Sequence, residues 1–135
     1  MADNGMLNDS TLSILRMALD GLSLRQQMIG RNIANVDTPG FHAQTVDFET
    51  AVKRALTQNK VIGLQRTQPG HLAAPTQNAT FTIAQRPGGS VRADQNNVDI
   101  DVELMDMTET ALRFQALSQA ASKKLLLLKN LASGR

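Results

Sequence analysis

Apolar residues spaced by alternating steps of three and four run through both ends of this chain. In the N-terminal part the row reads Leu12, Leu15, Leu19, Leu22, Gln26, Ile29, Ile33 and Val36, with Gln26 its one polar member. In the C-terminal part it reads Leu104, Met107, Ala111, Phe114, Ser118, Ala121, Leu125, Leu128 and Ala132, with Ser118 its one polar member. This spacing gathers each row on one side of a helix, as in a coiled-coil seam. The chain therefore contains two long helices, each with a face that needs a partner.

The first row stops at Asn35-Val36-Asp37-Thr38-Pro39-Gly40-Phe41. Pro39 pushes Thr38 toward extended geometry, and Pro39-Gly40 suits the two central positions of a type II turn. Residues 1–9 read as a flexible tail, 10–36 as the first helix, of about 38 Å, and 37–58 as the turn followed by a short helix. Residues 59–97 are polar and turn-rich, with strand-like alternation at Thr80-Phe81-Thr82-Ile83 and room for one short hairpin. Residues 98–135 hold the final helix. Its first half carries Asp99, Asp101, Glu103, Asp106 and Glu109 and its last part Lys123, Lys124 and Lys129, which complements the helix dipole at each end.

A second apolar row on the first helix, Ile14, Met17, Ala18, Gly21, Leu24 and Met28, lies about 200° around the axis from the seam. The run Leu125-Leu126-Leu127-Leu128 sweeps about 300° at the other end. Burying one Leu stabilises by about 1.5–3 kcal/mol, so leaving both faces in water would forfeit much of a domain's stability. Only two long helices are legible, which favours packing between molecules, with Leu24, Met28, Leu126 and Leu127 as the contacts.

The 135 residues suffice for one domain, and 41% hydrophobic content is that of an ordinary globular chain. Four Phe with no Trp or Tyr leave the core to aliphatic side chains. A formal charge of +2 with scattered basic residues gives no footprint for nucleic acid. The absence of cysteine excludes disulfides and thiolate metal sites. No apolar run approaches the ~20 residues that span a bilayer, and the N-terminus lacks the pattern of a cleaved secretory signal.

Chemistry-bearing patterns are missing. His42 and His71 sit outside any ligand-spaced cluster, no phosphate loop or nucleophile elbow occurs, and Asp99 and Asp101 suit helix capping better than acid–base work. We expect no catalytic residue, metal or cofactor. Asn32 and Asn35 share a helical face and admit two readings. In one, Asn35 closes the helix in left-handed geometry while Asn32 is solvated; in the other, both bond to the following loop or to a neighbouring subunit.

The segment from Asn32 to Phe41 resembles the N-x-A-N-x-x-T-P-G-Tyr/Phe signature of bacterial flagellar rod, hook and hook-associated proteins, through Asn32, Ala34, Asn35, Thr38, Pro39, Gly40 and Phe41. Asn96 to Met105 resembles the N-x-V-D-x-x-x-E-M region opening the last helix of rod proteins, with Val98, Asp99 and Glu103 in place, Asn97 just before them and Leu104 where Met is common. Of this group the chain most resembles the proximal rod proteins. The resemblance implies a mainly α fold, its terminal helices paired as an antiparallel coiled coil around a short loop- and β-containing middle. The seam would be formed by Leu12, Leu15, Leu19, Leu22, Ile29 and Ile33 against Leu104, Met107, Phe114, Leu125 and Leu128. It further implies a structural subunit that polymerises into a tubular axial rod in the periplasm, exported without signal cleavage. Its partners would be itself, other rod subunits, the basal-body ring and the type III export gate. Phe48 and Val52 match an export-gate motif of this group, and they equally suit packing on the first helix. Rival readings are a coiled-coil adapter or export chaperone forming a small closed oligomer, and an amphipathic membrane-surface protein using Lys123, Lys124 and Lys129.

Overall fold

The computed structural model describes residues 10–58 and 81–134. The expected tail and most of the polar middle region lie outside them. Among the described residues three helices and two strands follow in the order α1 (Ser10–Ala34), β1 (Gln44–Asp47), α2 (Glu49–Gln58), β2 (Thr82–Gln85) and α3 (Ile100–Ala132). The fold is mainly α, with the two long terminal helices packed together and a small sheet between them in sequence. Their pairing is antiparallel: Asn32 near the end of α1 meets Glu103 near the start of α3, while Leu15 and Ala18 share a groove with Ala116 and Leu117.

Each helix boundary has a local cause. α1 tightens at its C-terminus, where the Asn35 and Val36 N–H groups donate to the carbonyls of Asn32 and Ile33. The chain then turns at Thr38-Pro39-Gly40-Phe41. The Phe41 N–H donates to the Thr38 carbonyl at 3.3 Å and Gly40 takes φ +71°, as the third position of a type II turn requires. Asp99 caps α3, its carboxylate accepting from the N–H groups of Asp101 and Val102. Asp47 serves the first turn of α2 by accepting from the Thr50 N–H at 3.2 Å and hydroxyl at 2.8 Å, which lowers the Asp47 pKa.

β2 pairs antiparallel with β1, Gln44 opposite Gln85 and Asp47 opposite Thr82, and the hairpin expected within 59–97 lies largely outside the described residues. A two-stranded ribbon of this length is marginal alone. It is stabilised here by α1, against which Val46 and the following Phe48 are buried. Leu22, Val46 and Phe48 form the core, with Leu24, Met28, Val52, Phe81, Phe114 and Leu117 around them. From Ala18 onward the second apolar row of α1 thus faces its own chain. Ala18 and Gly21 are buried, and Leu24 and Met28, expected between subunits, pack on this intramolecular cluster. The sequence conceals this covering, because β1 and α2 are short and each supplies only one or two large side chains.

The seam also differs on α3. On α1, Leu22 and Ile29 are buried and Leu12, Leu15, Leu19 and Ile33 half-buried. On α3, Met107, Phe114 and Leu128 are half-buried, but the fully buried positions are Glu103 and Thr110, each one residue before the expected Leu104 and Ala111. One residue is about 100° of helix rotation, enough to turn Leu104 to solvent. Leu125, expected in the seam, is also exposed.

Candidate functional site

The signature residues converge on one end of the helix pair, where three segments distant in sequence are joined by buried hydrogen bonds. Asn32 is fully buried. Its Nδ2 donates to the Gln44 carbonyl at 2.9 Å while its Oδ1 accepts from the Gln44 N–H at 2.9 Å, so the amide pairs with β1 as another strand would. The same Nδ2 reaches both carboxylate oxygens of Glu103, at 3.1 and 3.2 Å. Glu103 in turn meets the Arg86 guanidinium at 3.0 Å, and Arg86 also binds Asp106 at 2.8 Å. Arg86 follows β2, so one carboxylate ties α1, the ribbon and α3 together.

Glu103 is 0% exposed. Burial raises its pKa, opposed by the Asn32 hydrogen bonds and the Arg86 charge and reinforced by the charge of Asp106. Among the described residues, every buried side-chain nitrogen and oxygen has a hydrogen-bond partner. That is the condition under which a buried polar cluster is tolerated.

A second clasp holds the turn. Asn96 is fully buried and its Nδ2 donates to three carbonyls, those of Asn35 at 2.9 Å, Val36 at 3.1 Å and Thr38 at 2.8 Å. These carbonyls leave the end of α1 without helical partners. The Asn96 Oδ1 accepts from the Val98 N–H, and Gln95 takes φ +64° beside it. Asn97 accepts from the Ala43 N–H through Oδ1 at 2.7 Å, and the Gly40 N–H donates to the Asp94 carbonyl at 2.8 Å. Val98 is buried behind Asn97. The two signature segments are thus the two halves of one contact.

Of the two readings of Asn32 and Asn35, bonding to the following loop within the chain is what the geometry shows. Asn32 is buried rather than solvated, and Asn35 keeps a negative φ while its Oδ1 accepts from the Thr38 hydroxyl at 3.2 Å. Ala34, Thr38, Pro39 and Gly40 are exposed and Phe41 is half-buried. Phe48 is buried, and Val52 packs on the core it belongs to. The Arg25 guanidinium lies 4.6 Å above the Phe48 ring while donating to Glu49 at 2.7 Å and to the Val46 carbonyl at 2.9 Å. Leu126 and Leu127 are exposed.

Sequence reading missed Asn96, Arg86, Arg25 and the function of Gly21. Asn96 stood inside the resembling segment and was legible there; the two arginines carried no local signal. Gly21 lies under Phe48, where a Cβ would come within 2.4 Å of the ring. Among the described residues, no cluster of His, Cys, Asp or Glu is placed to hold a metal, and no helix is long and apolar enough to cross a membrane.

These features define a structural module whose polar groups serve backbone and helix pairing. Residues 12–42 match the family described as flagella basal body rod protein. Three similar proteins carry the name flagellar basal body rod protein FlgB. That of Escherichia coli is 30% identical over 123 residues, covering 84% of this chain and 86% of its own length. That of Aeromonas hydrophila is 32% identical over 117 residues, covering 87% and 88%, and that of Bacillus subtilis is 27% identical over 128 residues, covering 95% and 97%. The chain belongs to the FlgB family of flagellar basal body rod proteins.

Proposed function

We propose that this chain is a structural subunit of the basal-body rod, polymerising through its terminal helices into a tubular structure that transmits torque and surrounds the export channel. It performs no catalysis. It reaches the periplasm through the type III export gate without a cleaved signal, and meets there copies of itself, other rod subunits and the basal-body ring.

The observation that supports this reading is the asymmetry between the helices. α1 buries Leu22 and Ile29 of the seam and Ala18 and Gly21 of the second row and packs Leu24 and Met28 on the core, whereas α3 leaves Leu104, Met105, Leu112, Leu126, Leu127 and Leu131 exposed. Met105, Leu112 and Leu126 recur at heptad positions on one line of the helix. Such a face on a long helix is an assembly surface. The inter-subunit contacts therefore belong to α3, with Leu126 and Leu127 retained among them.

Phe48 and Val52 remain the export-gate motif of this proposal. Because the fold buries Phe48, a gate that reads the pair acts on the chain before it folds.

The test is Leu112→Asp, at a position 64% exposed in the subunit. The variant keeps wild-type helicity and thermal midpoint but is absent from isolated basal bodies, and its cells are non-motile. A motile strain with the variant incorporated overturns the proposal. Sedimentation of the purified wild type adds a second check, since a stable closed dimer or tetramer in place of a polymerising monomer would favour an adapter.

A further inference from the structure

The apolar contact between α1 and α3 does not by itself specify how far along one another the helices sit. Leu15, Leu22 and Ile29 stand seven residues apart on α1, so a slide of α3 by one heptad would set Phe114 and Leu117, which pack on the Leu22 cluster, against another aliphatic side chain of the same seam. α3 has 33 residues against 25 in α1, so a slide of one heptad, about 10 Å, keeps much of the overlap. Something other than the seam must select one alignment.

We propose that Glu103, held between Asn32 of α1 and Arg86 behind β2, is the positioning residue that sets the longitudinal register of α3 on α1. Its partners are not free to follow a slide. Asn32 is fixed to the Gln44 backbone by two hydrogen bonds, and Arg86 is placed by the Gln44–Gln85 pairing of the ribbon. Moving α3 in either direction withdraws the carboxylate from both at once and leaves Asn32 facing other side chains. A buried polar group is a weak stabiliser but a sharp selector, because the misaligned state leaves it unpaired. The consequence reaches the surface, since the register decides at what height Met105 and Leu112 stand relative to α1.

The chain has no cysteine, so paired spin labels can be placed without background. Labels at Gln27 and Thr108, both exposed and nearly level, and at Asp20 and Thr108, one heptad offset, report the register from two sides. Wild type gives one narrow distance distribution for each pair. Glu103→Leu/Arg86→Met removes both charges together while sparing Asn32 and Gln44. It should remain helical and show a second population displaced by about 5–10 Å. Glu103→Gln keeps an acceptor for Asn32 and should restore the single wild-type distance. A single unshifted distribution in the helical double variant overturns the proposal. So does a slipped distribution in Glu103→Gln. Loss of helicity in the double variant also overturns it, for the cluster would then be a source of stability and not of register.

Discussion

Gly21→Ala is the sharpest test of how the middle of this chain is held on α1, because two effects of known size oppose one another there. In a helix interior Ala is favoured over Gly by about 1 kcal/mol, so in the absence of neighbours the substitution stabilises. In this fold the new Cβ would lie 2.4 Å from Cγ, 2.6 Å from Cβ and 2.7 Å from Cδ2 of Phe48. The Cβ contact matters most, since rotating the ring cannot relieve it and the backbone of the β1–α2 junction must move. Overpacking of this kind costs about 1–3 kcal/mol, and the displacement also loosens the Arg25 contact with the ring. Setting a mid-range cost of about 2 kcal/mol against the gain of about 1 kcal/mol leaves a net destabilisation of about 1 kcal/mol. That lowers the thermal midpoint by roughly 3–5 °C for a chain of this size, read by circular dichroism at 222 nm. The companion variant is Phe48→Gly, which removes all three clashing atoms. In that background Gly21→Ala should stabilise by about 1 kcal/mol, so the sign reverses in a double-mutant cycle by urea denaturation. A Gly21→Ala protein as stable as wild type or more so would refute the placement of Phe48 on α1.

Asn96→Ala removes the donor that serves three carbonyls beyond α1; a loss of about 1–3 kcal/mol and faster amide exchange confined to residues 35–41 and 94–98 are expected, and uniform exchange changes would count against a local clasp. Glu103 keeps its proton to higher pH folded than unfolded, so between those two values the folded chain binds more protons and the Glu103 contribution declines as pH rises from about 4.3 upward. Thermal midpoints of wild type minus Glu103→Gln should therefore fall across that range, and parallel curves would contradict the assignment. Asp47 has the opposite sign, its pKa being lowered by the Thr50 hydrogen bonds, so its contribution is present at neutral pH and lost as pH falls through the folded value. Asp47→Asn should flatten the acid limb of the stability curve, measured by the same method.

What could be read directly from the residues was whatever depends on near neighbours in the chain. The extents of α1 and α3 follow from period and caps, the turn from Pro39-Gly40, and the start of α3 from Asp99. Asn32 and Glu103 could be singled out by resemblance, but their bond to one another could not, because 71 residues separate them. Arg86 lay in a polar stretch with no periodicity, and only the pairing of β2 with β1 carries it to the helices.

The sequence by itself determined that two long helices flank a turn and that each has more apolar surface than one partner covers, since both are matters of spacing along a helix. Only the tertiary structure decided which surface remains open. Phe48 and Val46 close the second face of α1, because α1, β1 and α2 meet over Gly21. A buried carboxylate, drawn inward by Asn32 and Arg86, turns the seam of α3 by one residue and leaves Leu104 outside. Hydrophobic spacing counts apolar side chains, but it is blind to a polar group whose burial is compensated from distant parts of the chain.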